Sequence, residues 1–113
     1  MARLRFGISR YASVADAIEQ RLALGGRVSC QIGQGRLCIT LRSAGATYWD
    51  PATQVARALE MAAVARGLLA TNVRAAVRRH ARHAVVVRFE DARVAEGCQV
   101  RASWECIVPA PLQ

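Results

Sequence analysis

Three sets of residues have the types and spacing that chemistry could use. The first is Arg74, Arg78 and Arg82, spaced four apart, with Arg79 beside them. On a continuing helix this spacing stacks side chains along one face at about 6 Å intervals. That pitch is comparable to the phosphate repeat of a nucleic-acid strand, and guanidinium forks bind phosphate bidentately. These four arginines are therefore the candidate nucleic-acid-binding residues. Aromatic interleaving is poor, since Trp49 and Trp104 are far apart and the candidate strands lack a stacking platform. Any contact of this kind should follow the backbone and tolerate sequence.

The second set is His80 and His83, next to Arg78, Arg79 and Arg82. A catalytic reading would recruit Cys98, Cys106, Glu90 or Asp91 as partners, but no spacing demands it. Cations at a helix C-terminus complement the dipole without any catalytic role. The chain has no phosphate-cradling glycine loop, nucleophile elbow or paired-histidine zinc motif. No catalytic residue is assigned, and the reading as an enzyme ranks third.

The cysteines form the third set. Cys30-Gln31-Ile32 with Cys38-Ile39 echoes Cys98-Gln99-Val100 with Cys106-Ile107, each pair separated by seven residues. Duplicated hairpins or a four-thiolate site would explain the echo. Zinc knuckles, however, space two ligands by about two to four residues, which neither pair does. The expectation is free thiols packed like small hydrophobes, with no metal and no cofactor.

The elements that position these residues follow from periodicity. Leu4, Phe6 and Ile8 alternate with Arg3 and Arg5 over Ala2 to Ile8, the pattern of a short half-buried strand. Ser13-Val14-Ala15-Asp16 resembles a capping box opening a short helix through Ile18 and Leu22, which Gly25-Gly26 would stop. Val28, Cys30 and Ile32, then Leu37, Ile39 and Leu41, predict a hairpin. A two-residue turn at Gln34-Gly35 pairs them so that every apolar side chain shares a face.

Asp50-Pro51 caps and opens a long helix running to about Arg79, with a kink expected at Gly67 or Thr71-Asn72. Val55, Leu59, Ala62, Leu69, Val73 and Val77 form one apolar stripe on it, and Met61, Val64 and Leu68 form another. Either the first helix or the tail covers the second stripe, or Met61, Val64 and Leu68 are a homo-oligomer interface. A last hairpin turning at Glu96-Gly97 sets Phe89 beside Trp104 and Val87 beside Cys106.

The fold class is therefore α+β: an antiparallel sheet with two helices on one face, in the βαββαβ order of a ferredoxin-like sandwich plus one added strand. If the first strand fails, paired helix-plus-hairpin units remain. Residues 1–108 form a single domain, and 109–113 a proline-containing tail.

Composition sets the outer limits. The chain has 113 residues, 53% of them hydrophobic, which is enough for a core and excludes collagen-like, coiled-coil and disordered classes. All sixteen basic residues are arginine against eight acids, a net charge of +8. A GC-rich genome produces part of such an arginine excess, yet the field still favours polyanions. No apolar run approaches the roughly 18 residues of a membrane span, and no secretory core is present, so the expectation is a soluble, cytoplasmic chain. The leading functional expectation is a small basic non-catalytic subunit that self-associates or docks into a larger assembly. A sequence-tolerant RNA- or DNA-binding module is the alternative.

Overall fold

The computed structural model describes residues 2–43, 45–95 and 98–112, with side chains at 11–43, 45–46, 48–91 and 103–112. The order is α1 (Ala2–Leu22), β1 (Arg27–Gly33), β2 (Arg36–Arg42), α2 (Pro51–Ala70), α3 (Ala75–Arg78), β3 (Val85–Ala95) and β4 (Cys98–Val108). Short 3-10 turns lie at Ala46–Tyr48 and Arg79–Arg82. The chain is α+β, with a four-stranded mixed sheet in the order β1-β2-β3-β4.

Two expectations need correction. Ala2 to Ile8 is helical, so the βαββαβ order lacks its first strand and two helix-plus-hairpin units remain. Leu4 and Ile8 are four apart and continue the helical spacing of Tyr11, Ala15, Ile18 and Leu22. Seven alternating residues satisfy both periods, and extending an existing helix needs no new nucleus. Ser13 therefore sits in mid-helix rather than at a cap.

The second correction is that the sheet is not wholly antiparallel. β2 and β3 run parallel, from Leu37 beside Val85 to Arg42 beside Glu90. α2 carries the chain back along the sheet before β3 starts, and only such a crossover lets sequential strands lie parallel.

Both hairpin registers match their expectation. Val28, Cys30 and Ile32 face Leu41, Ile39 and Leu37, and Gln34 and Gly35 have φ of 53° and 72°. Two successive left-handed residues give the primed turn whose twist suits a hairpin. Phe89 lies beside Trp104 and Val87 beside Cys106. The expected turn at Glu96-Gly97 lies outside the described residues.

α1 and α2 cover one face of the sheet. Leu37, Ile39, Leu41, Val85, Val87 and Phe89 are fully buried beneath them with Ile18, Met61 and Leu69. Phe89 sits between the rings of Trp49 and Trp104, at centroid distances of 5.8 and 5.5 Å. The opposite face carries ion pairs beside the apolar pair Val86 and Ile107: Arg42 reaches Glu90 at 3.1 Å, and Arg88 Nε donates to Glu105 at 2.9 Å. α1 ends in a left-handed turn with Ala23 at φ 47° and Gly25 at φ 74°. Ser43 Oγ donates to the Gly25 carbonyl at 3.0 Å, so the end of α1 is pinned to the end of β2. Among the described residues, no helix is long and apolar enough to cross a membrane.

Candidate functional site

The arginine segment begins where α2 stops. Asp50 accepts from Thr53 N–H at 2.7 Å and Pro51 takes the first helical position, which fixes the start. The other end falls at Ala70, where Thr71 Oγ1 donates to the Gly67 and Leu68 carbonyls at 3.3 and 3.2 Å. The break at Thr71-Asn72 is one of the two expected places. Asn72 Oδ1 then accepts from Arg74 N–H at 2.9 Å, just ahead of the single turn of α3.

The break dissolves the expected stripe. Arg74 precedes α3, Arg78 closes it, and Arg79 and Arg82 belong to the 3-10 turn. Arg78 folds back to donate to the Asn72 and Val73 carbonyls at 2.8 and 3.0 Å. A 3-10 helix has three residues per turn, so positions three apart eclipse. That geometry brings Arg79 onto the side of Arg82, and His80 onto the side of His83. Arg78, Arg79, Arg82 and His83 line an open cleft of about 710 Å³ with Ala70, Ala75 and Ala81, and Arg74 stands outside its lining.

The histidines form the inner side of the turn. Their Nδ1 atoms are 3.5 Å apart, and the rings of Tyr11 on α1 and His80 meet edge to face with centroids 6.3 Å apart. Burial holds the His80 pKa below the usual imidazole value, helped by His83 and the Arg79 charge. Glu90 pairs with Arg42, and Asp91 accepts from Gly45 N–H at 3.1 Å, so both carboxylates are engaged further along β3.

Arg66 escaped the sequence reading. From the last third of α2 it donates through Nη2 to the His83 carbonyl at 2.9 Å and the Pro109 carbonyl at 2.6 Å. It thus ties the end of the 3-10 turn to the end of β4. The available signal was a lone charge in an otherwise apolar stretch, Met61 to Ala70.

The second apolar stripe of α2 packs largely inward. Met61 is 0% exposed, and Val64 and Leu68 are half-buried against the core beside α1. The solvent face of α2 instead carries Ala52, Val55, Ala56, Leu59, Ala63, Gly67 and Ala70. Val55 is 40% and Leu59 51% exposed. Arg57 and Glu60 pair with each other at 2.9 Å on the flank, and Arg66 is turned away to its carbonyls. A row of small and apolar side chains thus faces solvent along α2, interrupted by Arg66 and flanked by the Arg57–Glu60 pair.

Cys30 faces the core and Cys38 the opposite side of the sheet, because they lie in adjacent registers of one hairpin. Cys98 and Cys106 both belong to β4, so the sequence echo does not map onto equivalent positions. Among the described residues, no group of three or more His, Cys, Asp or Glu side chains could hold a metal ion. No family model, curated protein or solved structure matches the chain.

Proposed function

We propose that this chain is a small basic subunit that acts by self-association, two copies meeting through the solvent face of α2. The observation that carries this reading is the exposed row of small and apolar side chains from Ala52 to Ala70, with Leu59 half-exposed near its midpoint. A globular helix normally turns charge to water, whereas α2 confines its charge to the Arg57–Glu60 pair and to Arg66, whose guanidinium is held by carbonyls, and leaves a row of apolar side chains exposed. Alanine and glycine let two helix axes approach to about 8 Å, the close end of helix packing. A two-fold contact places the same patch on both partners. With antiparallel α2 helices, Leu59 of one copy would lie against the small residues around Ala63 of the other. Burying a half-exposed leucine contributes about 1 kcal/mol per copy.

Light scattering tests the proposal. The native chain should show at least twice the 12.3 kDa chain mass, and Leu59→Glu should return it to one chain. Val73→Glu supplies the control, because Val73 is 91% exposed but lies beyond α2. A native mass of one chain, or equal effects of the two variants, would contradict the reading.

A further inference from the structure

We infer that the cleft bounded by Arg78, Arg79, Arg82 and His83 binds a small phosphorylated molecule. This site meets the solvent face of α2 only at Ala70, and its charged lining lies beyond α2. Three observations converge on it. The 3-10 turn gathers the arginines around a concavity instead of stringing them along a helix. Its volume, about 710 Å³, lies within the span of small-molecule sites. Ala70, Ala75 and Ala81 give it apolar walls that an organic body could rest on.

The charge of the cleft is uncompensated. Arg42, Arg57 and Arg88 have carboxylate partners, and Arg66 and Arg78 have carbonyls. Among the described residues, Arg79 and Arg82 make no salt bridge and no acid lines the cleft. Two arginines one 3-10 turn apart on the lining of one cleft suit a dianionic phosphoryl group, whose three oxygens can accept from both guanidinium groups. A single carboxylate would leave one fork unmet. A nucleic-acid strand calls for cations at regular intervals along a surface, and the break at Thr71-Asn72 removes that arrangement.

Calorimetric titration with pyrophosphate is the test. The native chain should bind one pyrophosphate per chain saturably. Arg79→Ala/Arg82→Ala should weaken binding by about tenfold or more, the loss of at least one charge-assisted contact. Arg27→Ala/Arg36→Ala removes the same charge from exposed positions on β1 and β2 and should leave affinity within about twofold, since distant charges are screened. In the native chain, amide NMR shifts on adding pyrophosphate should centre on Ala75, Ala81 and His83, a readout independent of any variant's folding. Equal weakening in both double variants, shifts centred elsewhere or no saturable binding would overturn the inference. Single-stranded DNA oligonucleotides that bind more tightly than pyrophosphate, and increasingly so with length, would overturn it in favour of a nucleic-acid backbone.

Discussion

Cys30 and Cys38 lie on adjacent strands of one hairpin but face opposite sides of the sheet. Burial, with a smaller contribution from Cys38, pushes the Cys30 thiol up to about 12. The thiolate is the reactive form, so Cys30 should resist alkylation at pH 8 until the chain unfolds, whereas Cys38 on the open face should react in the native state. Peptide mapping after brief iodoacetamide treatment reads this directly; modification of Cys30 as fast as Cys38 would contradict the placement. At Gly26, a Cβ would come within 2.4 Å of the Arg42 carbonyl oxygen and 2.5 Å of Ser43 Cβ. Gly26→Ala should therefore destabilise by about 1–3 kcal/mol, the usual cost of overpacking, as a shift of the urea midpoint. The inward or outward aspect of each hairpin cysteine was legible in the sequence, because alternation and the Gln34-Gly35 turn admit one register that wastes no apolar surface. Arg66 was not legible. Its partners are carbonyls distant in sequence, which no local pattern announces.

The elements divide in the same way. The registers of both hairpins and the Asp50-Pro51 start of α2 could be read locally, since turn residues and caps impose their own geometry. Thr71-Asn72, by contrast, was one of two candidate kinks in a helix expected to reach Arg79 and instead follows its end. α1 could not, because Leu4, Phe6 and Ile8 satisfy a strand period as well as a helical one. The arginine spacing misled for a related reason: intervals of four mean a common face only while an α-helix lasts, and here a 3-10 turn substitutes intervals of three. That turn also carries a pH dependence. His80 faces Tyr11 from α1 and His83 and Arg79 from its own segment, and its pKa is held below 6.5, first by burial. The unfolded chain therefore takes up this proton before the folded one does. Stability from His80 is fully present above pH 6.5 and is lost as pH falls through the lower folded value. Thermal melting between pH 7.5 and 5 should show a declining Tm, and His80→Gln should flatten that decline. An unchanged slope in the variant would contradict the assignment.

At the scale of the whole molecule, one face of the sheet is covered by helices, the other carries ion pairs, and the back of the helix layer exposes an apolar row along α2 beside the Arg57–Glu60 pair. The molecule is 26 Å in its thinnest dimension, about one helix layer over one sheet. The two-layer arrangement followed from the amphipathic strands, but the uncovered face of α2 did not. Alanine and glycine give little hydrophobic contrast, and the more conspicuous Met61, Val64 and Leu68 prove to be the covered side. Self-association through α2 must work against a net charge of +8 on each copy, a repulsion that salt screens beyond about 10 Å at 0.1 M. Apolar burial does not weaken in the same way. Sedimentation equilibrium of the native chain at low and high salt tests the central claim most directly. The expected result is a weight-average mass above 12.3 kDa that holds or rises with salt. A mass of one chain at both salt concentrations, or an assembly that dissociates as salt is added, would contradict it.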